Sequence, residues 1–140
     1  SYPGISKLDL RAEIGPFTVE SRTHPDRRVP VTPLPAFHGT LPLYGYRVGG
    51  LAYLTAVRAL PDTSYSLLDD LDVLVLRALR HEPHPTHFSI SEALEVAARS
   101  GAKDTVFVHM THSILHAEED AALPDGVRLG YDGLVLTADG

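Results

Sequence analysis

"DVLVLRALRHEPHPTHFSISEALEVAARSG", residues 72–101, followed at residues 105–110 by "TVFVHM", decides the fold. Its first part is an unbroken apolar run, the pattern of a strand buried on both faces rather than of a half-exposed strand, which would alternate. "SISEALEVAARSG" then reads as a helix. Ser89 and Glu92 have capping-box spacing, Ala93, Leu94, Val96 and Ala97 share one side, and Gly101 supplies the stop. "TVFVHM" is a second buried strand. Strand, helix and strand in this order predict a mixed α/β sheet with helices on at least one face.

The flanks complete this reading. Upstream, "FTVESRT" and "VPVTPLPAF" are extended, and the prolines keep the second from being a central strand over its whole length. Residues 43–48 and 51–56 read as two strands joined at Gly49-Gly50, so the first half is an antiparallel meander. "DTSYSLLDDL" reads as a helix capped by Thr63 or Ser64, with Leu67, Leu68 and Leu71 at helical spacing. Downstream, "HAEEDAAL" is a short helix and "VRLGYDGLVLT" a closing strand pair with its turn near Asp132-Gly133. No linker or repeat interrupts residues 1–140, which read as a single domain.

Composition narrows the function classes. The 140 residues contain no cysteine, which removes disulfides, thiolate metal sites and a cysteine nucleophile together. A net charge of −6 argues against a nucleic-acid-binding surface, and the one basic knot, Arg22 with Arg27 and Arg28, reads as a solvated turn. No apolar run reaches the length of a membrane span, and the start has no signal-peptide pattern, so a cytoplasmic location is expected. The only methionine is Met110, so the start was processed or the chain is a piece of a longer one.

Eight histidines are many for this length, and six fall into two groups: His81, His84 and His87, and His109, His112 and His116. A helical metal motif is excluded for the first group, because Pro83 and Pro85 make "HEPHPTH" a loop. Position singles out others. His87 precedes the capped helix, His109 and His112 follow a buried strand, and His38 ends an extended run before Gly39, where a missing side chain permits close approach to the backbone. Carboxyl ends of strands in open α/β sheets are where ligands gather, and a neutral imidazole can bind a metal or move a proton. Such histidines can equally satisfy nearby carbonyls, and that reading stays open. Asp72, Asp132, Asp69, Asp70, Glu118 and Glu119 read as solvated or capping carboxylates. No nucleophile elbow, phosphate loop or dinucleotide fingerprint is present.

Taken in order, "PLPAFHG", "LPLYGYRVGGLAYLTAV", "LDVLVLRALRHEPHPTHFS", "FVHMTH" and "YDGLVL" resemble the C-terminal half of metallo-β-lactamase-fold hydrolases. They are most similar to the branch of the phosphoribosyl cyclic phosphate phosphodiesterase, over about residues 29–137. The resemblance implies half of an αβ/βα sandwich, a site for two divalent metal ions, zinc or manganese, and a phosphodiester or other small anionic substrate. By motif it makes His38 and His109 metal ligands and His87 the acid that assists the leaving group. It places His112 behind the ligands and His84 on the pocket wall, and gives His81 and His116 no role.

Two departures bear on activity. The family's H-x-H-x-D-H cluster is not in this sequence, and Ala56 stands where the bridging aspartate is expected. Arg77 also occupies a position where an asparagine or aspartate is usual. The resemblance therefore implies weak or absent metal binding and no activity by the chain alone, with a missing N-terminal half or a second copy as partner. A catalytically dead module holding an anionic ligand through His87, His109 and Arg77 is the alternative. A half-sandwich is also expected to leave the apolar faces of "DVLVL" and "TVFVH" without an opposing layer.

Overall fold

In the computed structural model, which describes residues 12, 15–78, 80–82, 88–112 and 114–139, seven strands form one sheet in chain order. Strands β1 (Phe17–Glu20), β2 (Arg28–His38), β3 (Leu41–Val48) and β4 (Leu51–Leu54) pair antiparallel. Strands β5 (Val73–Arg77), β6 (Asp104–Val108) and β7 (Val127–Leu129) continue from β4 in parallel. Parallel neighbours need crossovers, and these carry α1 (Asp62–Tyr65), α2 (Ile90–Ser100) and α3 (His116–Ala122).

Register explains the core. Leu54, Leu76, Phe107 and Leu129 are successive cross-strand partners from β4 to β7, all essentially without solvent contact. They share one face with Leu34, Ala52 and Leu74, against which α2 sets Ile90, Ala93 and Val96. The opposite face carries the row Tyr46, Tyr53, Val75 and Val106. Val75 and Val106 are buried, which accounts for the unbroken apolar run of "DVLVL".

That second face is not left bare throughout, as the sequence led us to expect. Leu134 and Leu136 line a groove with Val75, Val106 and Val108, so the C-terminal residues run along the β5–β6 part of it. Asp139 anchors their end: its N–H donates to Asp72 Oδ2 at 2.9 Å, while the Lys103 ammonium holds Asp72 Oδ1 at 2.6 Å. This pairing, with the Asp139 N–H, keeps the Asp72 carboxyl below the usual carboxylate range. Over β3 and β4 the face stays open, with Tyr44, Tyr46 and Tyr53 each about half exposed.

The prolines of β2 sit where they cost no ladder bond. Phe37 turns its N–H to the Ala59 carbonyl (2.9 Å) and its carbonyl to the N–H groups of Arg58 and Ala59, away from β3. Pro33 and Pro35 share its phase, so the N–H each lacks would have pointed away from β3. No residue of β2 is laddered to β1 and β3 at once: β1 takes residues 28–31 and β3 takes 32–38.

Two expectations are corrected. Thr63 and Ser64 do not cap a helix running to Leu71; α1 is one turn starting after Pro61 and passes into a 3-10 turn at Ser66–Leu68. The Ser64 hydroxyl is buried and donates instead to the Pro35 carbonyl at 2.6 Å, a tertiary bond that outweighs capping. "VRLGYDGLVLT" forms no hairpin either. Only Val127–Leu129 is a strand, laddered in parallel to β6, and the chain beyond crosses the sheet face.

Helix α2 is built as its sequence requires. Ser89 Oγ accepts from the Glu92 N–H, the Glu92 carboxylate accepts from the Ser89 N–H at 2.8 Å, and Gly101 ends the helix at φ +68. Glu92 has a second partner, Arg58 Nη2 at 2.7 Å, which ties the start of α2 to the segment after β4. Desolvation opposes the Glu92 charge, but the Ser89 and Arg58 bonds outweigh it and hold the carboxyl below its ordinary value.

Two outcomes follow. A Cβ at Gly45 would lie 2.1 Å from Leu54 Cδ2 and 2.9 Å from the Tyr53 carbonyl oxygen, so Gly45→Ala should cost about 1–3 kcal/mol in urea unfolding. Because folding favours the Glu92 carboxylate, its contribution is complete above the ordinary value of 4.5 and fades as pH falls through the lower folded-state value. Glu92→Gln should therefore melt below the wild type at pH 7, and the gap should narrow as pH drops below 4.5.

Candidate active site

The antiparallel start and parallel continuation give β2, β4, β5, β6 and β7 one direction, so their carboxyl ends meet at a single edge. His38 closes β2, Ala56 follows β4, Arg77 closes β5 and His109 follows β6. Four of the residues singled out in the sequence therefore share this edge.

His38 and Ala56 are in direct contact. His38 Nδ1 lies 3.0 Å from the Ala56 carbonyl oxygen. A carbonyl can only accept, so Nδ1 carries the proton in this bond. The contact is fixed by the bridge between Phe37 and Ala59 and by the Arg58–Glu92 ion pair just beyond it. Gly39 takes up φ +61 in the two-residue turn into β3.

His109 is exposed, at φ +59. A left-handed conformation in a residue other than glycine is costly, and such residues gather at functional sites. Beside it a groove is lined by Met110, Tyr131 and Asp132. Strand spacing puts the ends of β4 and β6 about 10 Å apart, so His109 stands across β5 from the His38–Ala56 pair.

The remaining histidines divide. His112 is exposed. His81 pairs through Nε2 with Glu119 on α3 at 2.8 Å, and His116 Nε2 lies 3.3 Å from the Gly130 carbonyl, with its ring edge-on to Tyr131. These last two are exposed, as expected, but serve to pin α3. His84 and His87 lie outside the described residues.

Arg77 is half-buried, with Nε enclosed and without a hydrogen-bond partner, and Arg80 is in the same condition. Arg58 was missed in the sequence, because its partner is 34 residues away and no local pattern announces it.

Among the described residues no three His, Asp or Glu side chains stand close enough to hold a metal ion. The Ala56 methyl contributes no charge, and a catalytic zinc takes at least three protein ligands. The described residues do not by themselves make up a metal site. Among them no helix is long and apolar enough to cross a membrane.

Residues 6–110 match the family described as Beta-lactamase superfamily domain. The chain is 33% identical over 143 residues to an octanoyltransferase of Porphyromonas gingivalis (strain ATCC BAA-308 / W83), covering 99% of this chain and 27% of that protein. Among solved structures it is similar to a diphosphatase from the PhnP family, with 40% identity and a TM-score of 0.76 over 84% of this chain and 44% of that one. Human tRNase Z, short form, at 18% identity and TM-score 0.63, is alike in fold over 80% of this chain and 44% of its own. The metallo-β-lactamase-fold protein YhfI from Bacillus subtilis, at 16% and 0.61, is alike over 84% of this chain and 51% of its own. The chain thus spans about a quarter to a half of the proteins it matches. With three quarters of its residues matched, the chain belongs to the beta-lactamase superfamily domain family, and it shares the metallo-β-lactamase fold.

Proposed function

We propose that this chain forms the C-terminal half of a metal-dependent hydrolase acting on a phosphodiester or related phosphate ester, and that it is inactive without the other half. Members of this family generally use divalent metal ions. The observation that carries the proposal is the contact of His38 Nδ1 with the Ala56 carbonyl at the edge where β2, β4, β5 and β6 all end. A metal-binding imidazole is typically held through its other ring nitrogen by such a backbone acceptor. His38 and His109 would then hold zinc or manganese, His112 would stand behind them, and His84 and His87 would line the pocket, with His87 as the acid.

The described residues offer too few ligands, and the other half would supply further ones. Similarity to a diphosphatase of which only 44% is covered supports this division. The same segment would cover Tyr44, Tyr46 and Tyr53 on the open part of the sheet; in its absence a second copy is the available cover. A cytoplasmic location belongs to the same proposal.

The isolated chain is expected to hold much less than one equivalent of zinc or manganese after dialysis and to leave bis(p-nitrophenyl) phosphate unhydrolysed. Metal analysis and a p-nitrophenol release assay check this. Tight stoichiometric metal with turnover would overturn the proposal.

A further inference from the structure

Arg77 is the least compensated charge at the carboxyl edge. Of the half-buried arginines among the described residues, Arg47 donates to the carbonyls of Gly49, Leu67 and Asp69, Arg58 to Glu92 and Arg128 to Asp104. Arg77 has no such partner, and neither has Arg80 three residues on. Each has a buried, unbonded Nε; Arg128 shares this, but its Nη2 meets Asp104, while no terminal nitrogen of Arg77 or Arg80 has a partner among the described residues. A guanidinium desolvated on one side and paired on neither is costly, and the cost is relieved when an anion meets its open nitrogens.

The surroundings favour an anion over a metal cation. Arg77 is the last residue of β5; its ladder partner is Val108, the last residue of β6, and exposed His109 follows that strand. Toward β4 the edge offers the Ala56 methyl; Glu119 is already paired with His81, and Asp132 lines the groove beside His109. Arg77 and Arg80, neither paired with a carboxylate, oppose a divalent cation and attract a negative group. A guanidinium fork engages two oxygens of one phosphate and leaves the others for a second donor such as the His109 imidazole, while a carboxylate is used up by a single fork.

We propose that Arg77, reinforced by Arg80, makes the carboxyl edge of β5 a metal-independent site for a phosphate group. This inference rests on charge and burial at Arg77 and does not depend on the hydrolase reading above, so either can fail alone.

Inorganic phosphate titrated into the full chain in the presence of EDTA, followed by arginine Nε–Hε and backbone amide resonances, tests it. Binding should shift Arg77 and His109. Arg77→Ala should weaken it by about tenfold or more and Arg80→Ala by about threefold, whereas Arg22→Ala on the exposed basic turn should leave it unchanged. Arg77→Lys, which keeps the charge without the fork, should bind between wild type and Arg77→Ala, and serves also if the alanine variant does not fold. Binding that requires added zinc, no binding at all, or equal binding by Arg77→Lys, Arg77→Ala and wild type would overturn the proposal.

Discussion

The in-register parallel pairing of β4, β5, β6 and β7 is the constraint on which the rest of the structure depends. It aligns Leu54, Leu76, Phe107 and Leu129 into one buried row beneath α2. Burying each such side chain contributes about 1.5–3 kcal/mol, and a slip of one residue would turn the row to the other face. The same slip would drive Arg77 into the core. The row therefore fixes which residues stand at the carboxyl edge, and the chemistry of that edge is a consequence of packing several ångströms away.

At the edge, the segment after β4 is clamped from two sides. Phe37 bridges it to β2, and Arg58 ties it to the capping box of α2 through Glu92. His38 reads the position of this clamp through the Ala56 carbonyl. The edge is thus firmly held, but Ala56 brings it only a methyl group and β5 ends in the unpaired guanidinium of Arg77. Geometry and charge point in different directions here. The proposed hydrolase activity needs more chain, whereas the proposed phosphate site uses this chain's own arginines.

Much of this was legible in the sequence because the signals were local. The apolar run at residues 72–79, the Ser89–Glu92 spacing and Gly101 each announced an element that the structure contains. The illegible parts were set by distant partners. Ser64 had the look of a cap, yet a carbonyl of β2 claimed its hydroxyl; "VRLGYDGLVLT" had hairpin chemistry, but β6 offered a parallel partner and the valines of the second face took up Leu134 and Leu136. His38 was singled out by its place at the end of an extended run, while the carbonyl that orients it lies eighteen residues on. Roles assigned to His84 and His87 fall on residues outside the described set.

The central claim is that the carboxyl edge has the shape of a metal site and too few ligands. Manganese titrated into the 15N-labelled chain reports this directly, because the paramagnetic ion broadens amides near it. The account expects weak, millimolar broadening centred on residues 38–40, 56 and 109–110 at the carboxyl edge. Tight, one-to-one broadening there, or broadening centred on Asp72, Asp104 and Asp139 at the opposite edge, would contradict it.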